Sequence, residues 1–138
     1  MSIFADTGAW YAVADASDRH HRTAARYYLD HAPRLVTSDL VIAESWTLIL
    51  SHLGRSAAVK YWESLRDTRV PVLCAEPSDL EAGWRIAQAF SDQDFSFCDC
   101  VSFALMERLG IEDAFAFDAH FLVYRYGAAR QRAFRRHP

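Results

Sequence analysis

Short apolar runs alternate along this chain with longer segments in which apolar residues recur at helical spacing. Ser2-Ile3-Phe4-Ala5 is apolar up to Asp6 and predicts a short first strand. Helical patterning follows over about Thr7–Ala14 and Asp18–His31. Arg34-Leu35-Val36-Thr37 predicts a second strand, after which Ser38 or Asp39 caps a long helix that runs to Leu53 and stops at Gly54. Ser56–Arg66 has a helical pattern, and Val70-Pro71-Val72-Leu73-Cys74 is β-rich, with Pro71 favouring an edge position. Ser78 is placed to cap a helix to about Phe90, and an acidic loop with Asp92 and Asp94 follows. A further helix covers Asp99–Leu109 and ends at Gly110; Ala114-Phe115-Ala116-Phe117 then predicts a strand up to Asp118. Strands alternating with helices imply an α/β fold, with layers of helix around a largely parallel central sheet. Ligands in such sheets bind beyond the carboxyl ends of the strands.

Length and composition fit a single domain over residues 1–138, with 51% hydrophobic residues and only five Gly and four Pro. No apolar run approaches the roughly 18–20 residues of a membrane span, and the opening lacks the pattern of a signal peptide. Cys74, Cys98 and Cys100 form no even disulfide framework, so a reduced, cytoplasmic protein without a membrane is expected. The net charge of −3 is unevenly spread. All eighteen acids lie in residues 1–118, while Arg125, Arg130, Arg132, Arg135 and Arg136 leave residues 119–138 wholly basic. That tail can contact RNA phosphates, an acidic partner or solvent.

Four carboxylates are not explained by amphipathic patterning. Glu44 is the only ionisable side chain in Leu40–Leu50, and Asp99 the only one in Phe95–Met106. Asp6 and Asp118 each close a predicted strand. Singly, Asp6, Asp118 and Asp99 can be read as helix caps, and Glu44 as part of a polar stripe with Thr47 and Ser51. Jointly, two acids at strand ends and two on helices that can converge there would repel one another without a cation. Hard carboxylate ligands suit Mg²⁺ or Mn²⁺, ions that activate water and neutralise a phosphodiester. His120, standing alone after a strand, fits a packed or solvent-facing residue better than a general base. Asp94 is a candidate outer acid, and Trp10 and Tyr11 can line an RNA path or a partner groove.

Four segments together resemble the PIN domain, and within it the VapC-type toxins of toxin–antitoxin pairs. They are Ile3-Phe4-Ala5-Asp6-Thr7-Gly8, Val41-Ile42-Ala43-Glu44, Phe95-Ser96-Phe97-Cys98-Asp99-Cys100-Val101-Ser102-Phe103, and Ala116-Phe117-Asp118-Ala119-His120-Phe121. The resemblance implies a PIN-like α/β/α sandwich and a metal-dependent endoribonuclease using Mg²⁺ or Mn²⁺. Its acidic positions fall on Asp6, Glu44, Asp99 and Asp118, with Asp6 and Asp99 holding the metal most directly. It further implies RNA as substrate, neutralisation by a cognate antitoxin, and a homodimer. Thr7, Arg132, Arg135 and Arg136 are the expected RNA or partner contacts. Two departures stand out: Ala116 and Cys98 occupy positions where the family often carries Ser or Thr, which bears on a second metal and on Asp118. A housekeeping PIN-domain RNA-processing nuclease and a catalytically silent PIN-like binding module are the alternatives.

Overall fold

Five strands form one sheet in the computed structural model, which describes residues 1–138. In chain order they are β1 (Ile3–Ala5), β2 (Leu35–Ser38), β3 (Val72–Leu73), β4 (Asp113–Phe115) and β5 (Arg135–His137). The order across the sheet is β3-β2-β1-β4-β5, and every pairing is parallel. Successive residues of a strand point to opposite faces, yet every residue of β1, β2 and β4 is buried. Both faces are therefore covered, as a parallel sheet with helical crossovers requires.

The helices are α1 (Thr7–Ala14), α2 (His21–His31), α3 (Asp39–Leu53), α4 (Arg55–Asp67), α5 (Pro77–Ala89), α6 (Phe97–Leu109) and α7 (His120–Val123). Local chemistry sets most of their ends. The Ser38 hydroxyl accepts from Val41 N–H at 3.1 Å to open α3, and Gly54, at φ 90°, closes it. Gly110, at φ 67°, closes α6. No helix is long and apolar enough to cross a membrane.

Several boundaries differ from the sequence reading. α2 begins at His21 rather than Asp18, because the Asp18 carboxylate accepts from His20 N–H at 2.8 Å and holds a turn there. α5 is capped by Glu76 and not Ser78; Glu76 N–H donates to Asp79 Oδ2 at 2.8 Å in a capping box, with Pro77 in the first turn. β4 lies at Asp113–Phe115, one residue earlier than expected at its start and two at its end. The largest difference is the basic tail, which folds into α7 and β5 and completes the sheet.

The core joins the central strands to the inner helix faces through Ile3, Phe4, Trp10, Leu35, Val41, Ile49, Phe103, Phe115 and Phe121. Gly83 of α5 lets α6 approach closely: a Cβ there would stand 2.7 Å from Val101 Cγ2 and 3.1 Å from Val101 backbone atoms.

Candidate metal centre

Asp6 follows β1 and is 2% exposed. It occupies the cap position of α1, but its carboxylate makes no capping hydrogen bond, contrary to the simplest reading of that position. Its Oδ1 is buried without any hydrogen-bond partner, as is the hydroxyl of the adjacent Thr7. An ionised carboxylate so placed costs several kcal/mol unless something compensates. Burial raises the Asp6 pKa well above the usual carboxylate range, and the Asp118, Asp99 and Glu44 carboxylates push it further the same way. Those three acids therefore face Asp6 closely enough to oppose its ionisation.

Asp99 sits at the third position of α6, not at its cap as the sequence suggested. Ser96 is the cap: its hydroxyl accepts from Asp99 N–H at 3.0 Å, and Asp99 Oδ2 accepts from Ser96 N–H at 3.0 Å. This reciprocal pair fixes the Asp99 side chain. His120 Nδ1 lies 2.7 Å from the same oxygen, and with Asp99 ionised that nitrogen carries the proton. Asp118 Oδ1 accepts from His120 N–H at 3.0 Å and lies 4.0 Å from His120 Nδ1. Asp99, Asp118 and His120 thus offer ligand atoms that all lie within 4.8 Å of one another. Asp6, expected with Asp99 to hold the metal most directly, stands outside this tight triad and meets it through its field on Asp99 and Asp118.

Burial raises the Asp118 pKa, and Asp99 raises it further. Burial alone would lower that of His120, but the Asp99 and Asp118 carboxylates outweigh it and hold the imidazole above its ordinary value. Asp94, fully exposed, brings a carboxylate oxygen within 3.6 Å of His120 Nε2. Glu44, half-buried on α3, joins through its field on Asp6 and on Cys98. Burial, with Glu44, Asp6 and Asp99 beside it, keeps the Cys98 thiol protonated. The donor set is consequently hard carboxylate oxygen, with His120 engaged to Asp99, which fits Mg²⁺ or Mn²⁺ better than a thiolate-bound ion. The partnerless Asp6 oxygen is a buried acceptor of the kind a hard cation can satisfy.

The tail arginines have partners within the chain. Arg135 holds Asp113 through two bonds of 2.9 Å and Glu112 at 3.1 Å, and Arg132 holds Glu112 at 2.9 Å. Arg136 Nη1 donates to the carbonyls of Phe117 at 2.9 Å and Asp118 at 3.0 Å. Arg132 and Arg135 are thus staples of β5, and Arg136 braces the backbone that carries Asp118. His120 is the residue that sequence reasoning undervalued. The available signal was its spacing: Asp118-Ala119-His120 lets one acid accept from the His backbone while the ring turns toward Asp99.

Comparison with known proteins gives the family and the fold. Residues 3–125 match the PIN domain family. Two relatives from different strains of Mycobacterium tuberculosis, both named 23S rRNA-specific endonuclease VapC20, are 36% identical over 119 residues, covering 86% of this chain and 91% of theirs. The crystal structure of M. tuberculosis VapC20, titled a sarcin–ricin loop cleaving toxin, superposes with a TM-score of 0.80 over the same shares. A Pyrobaculum aerophilum protein of 20% identity shares the fold, with a TM-score of 0.64 over 99% of this chain and 90% of its own. The extent of the family match and the identity to VapC20 settle the kinship: this chain belongs to the PIN-domain family and, within it, stands with the VapC-type proteins.

Proposed function

We propose that this chain is a metal-dependent endoribonuclease toxin that cuts RNA phosphodiester bonds, with Asp6, Asp99 and Asp118 holding Mg²⁺ or Mn²⁺ and Glu44 completing the set directly or through water. The observation that carries this reading is the buried Asp6 carboxylate, one oxygen of which has no hydrogen-bond partner, facing three further acids. The chemistry that such an ion supplies when bound is an activated water and relief of charge on the phosphate. The chain's own part is to hold the ligands. Ser96 N–H and His120 Nδ1 both bond Asp99 Oδ2, leaving Oδ1 free, and His120 N–H bonds Asp118 Oδ1, leaving Oδ2 free. His120 is a positioning residue that fixes Asp99 and links it to Asp118.

The likeness to VapC20, named for its action on 23S rRNA, supports structured ribosomal RNA as the substrate class. A cognate antitoxin, a homodimer and a cytoplasmic setting complete the proposal. The apolar cavity of about 210 Å³ between α1, α2 and α4, lined by Trp10, Tyr28, Tyr61 and Leu65, is a suitable seat for an antitoxin segment.

The test is cleavage of RNA with Mn²⁺ or Mg²⁺ and with EDTA, by wild type, Asp6→Asn, Asp99→Asn and His120→Ala. Cleavage should require the metal and vanish in both Asn variants while each keeps its circular dichroism spectrum. His120→Ala should need about 10–100-fold more metal for half-maximal cleavage. Undiminished cleavage in both Asn variants would sink the assignment.

A further inference from the structure

A second concave site lies along α5 and α6, outside the acid cluster. α5 contributes Arg85 and, at its end, Phe90; the segment after α7 contributes Tyr124, Arg125 and Arg130; and Glu107 of α6 lies on the wall. The cleft encloses about 370 Å³. None of its three arginines belongs to an ion pair, whereas Arg108, Arg132 and Arg135 each hold a carboxylate. The Glu107 carboxylate is already engaged, accepting from the Tyr124 hydroxyl at 2.5 Å. Arg125 donates only to the carbonyls of Leu122 and Tyr124, so its charge is not balanced by an acid.

Arg130 is built into this cleft at a conformational cost. Tyr126 and Arg132 exchange backbone hydrogen bonds of 3.0 and 3.1 Å, and the loop between them is closed by Arg130 N–H on the Gly127 carbonyl at 3.1 Å. Arg130 has φ 50°, the left-handed region in which Gly or Asn is the usual residue. An Arg there brings its guanidinium over the Phe90 ring, 4.9 Å from the centroid. A strained backbone at a position whose side chain lies over an aromatic ring points to use of that side chain. Phe90 in turn contacts Phe95 at 5.8 Å, and Phe95 meets the His120 ring edge-on at 5.2 Å. Two ring contacts therefore separate this cleft from the acid cluster.

We infer that this cleft is an RNA subsite that holds a stretch of the strand flanking the scissile bond, in which a base stacks on the Arg130 guanidinium above Phe90 while Arg85 and Arg125 hold phosphates. The inference rests on the nuclease reading for its substrate class. Charge and shape both select a nucleotide. Unbalanced guanidiniums match phosphate, and a guanidinium plane backed by an aromatic ring is a platform for a planar base. An acidic peptide satisfies the charges but makes no use of the stacked plane.

The experiment measures binding of a fluorescent single-stranded RNA and of an RNA hairpin by anisotropy, in EDTA and over a salt series, so that no cleavage is needed. Wild type is compared with Arg85→Gln, Arg125→Gln and Arg130→Asn. Asn tolerates the left-handed backbone, so Arg130→Asn should melt at or above the wild-type temperature while losing RNA affinity by about 5–100-fold. Arg85→Gln and Arg125→Gln should each reduce the slope of log K against log salt by about 0.7. In cleavage assays these variants should raise KM and leave kcat near wild type. Wild-type affinity and slope in all three variants, or no RNA binding by wild type, would overturn the subsite. Loss of antitoxin affinity with RNA binding intact would overturn it too, reassigning the cleft to a protein contact. The nuclease reading fails separately, if Asp6→Asn and Asp99→Asn cleave as wild type does.

Discussion

The Thr37 hydroxyl accepts from Trp10 Nε1 at 3.1 Å and donates to the Ala5 carbonyl at 3.0 Å, all in fully buried surroundings. One residue beyond Ala5, the Asp6 oxygen has no partner at all. The contrast separates two kinds of buried polar atom. Thr37 belongs to a satisfied network that ties α1 to β1 and β2, whereas the chain itself offers Asp6 Oδ1 no partner. Thr37→Val keeps the shape but strands the indole N–H and removes the donor to Ala5. It should cost about 1–3 kcal/mol, read from the urea midpoint at constant m. A loss near zero would mean that water replaces the hydroxyl. The clustered acids were legible in the sequence because an acid in an apolar run is conspicuous: Glu44 and Asp99 stand alone in theirs. His120 was not, since its value comes from a contact with Asp99 that no local pattern encodes.

Among the elements, α5 and α6 pack tightly, and Gly83 permits it. Gly83→Ala gains up to about 1 kcal/mol of helix propensity but drives a methyl into Val101, and overpacking of this kind costs about 1–3 kcal/mol. The variant should be net destabilised by about 1 kcal/mol, and Gly83→Ala combined with Val101→Ala should recover part of the loss. A stabilised single variant would show that the helices separate freely. Elements whose ends rest on local chemistry were readable in advance. α3 runs from Asp39 to Leu53 as expected, because Ser38 and Gly54 are adjacent signals. β5 was hidden, because Arg135-Arg136-His137 has the composition of a solvated tail. It is a strand only by virtue of pairing with β4 and of Arg135 gripping Asp113, a partner 22 positions away. The shift of β4 has the same origin, since Asp113 enters the sheet with its charge matched by a strand not yet recognised. α5 was misread by a nearer competition, in which Glu76 and Asp79 outdid Ser78 as a cap.

For the whole molecule, the clustered acids couple folding to pH and to metal. Burial first, and neighbouring carboxylates second, raise the folded-state pKa of both Asp6 and Asp118. The folded protein then binds more protons than the unfolded chain between about pH 4, the ordinary carboxylate value, and the raised values. Metal-free stability should fall as pH rises through that window. A divalent ion should reverse the penalty, so Mn²⁺ should raise the melting temperature more at pH 7.5 than at pH 5. Asp6→Asn should raise the metal-free melting temperature at pH 7.5 and blunt the response to Mn²⁺. Thermal melts in EDTA and in Mn²⁺ at both pH values measure this; an unresponsive wild type with a destabilised Asp6→Asn would leave the acids as independent groups. The sheet order carries a consequence for the time course of folding. β1 is made first yet lies at the centre, with Ile3 beside Leu35 on one side and Asp113 on the other. Closing that second pairing spans most of the chain, the slow, non-local kind of step. During synthesis the earliest acid, Asp6, must wait beside a half-built sheet for Asp118, so the nascent chain carries no assembled acid cluster until Asp118 has been made and has left the ribosome.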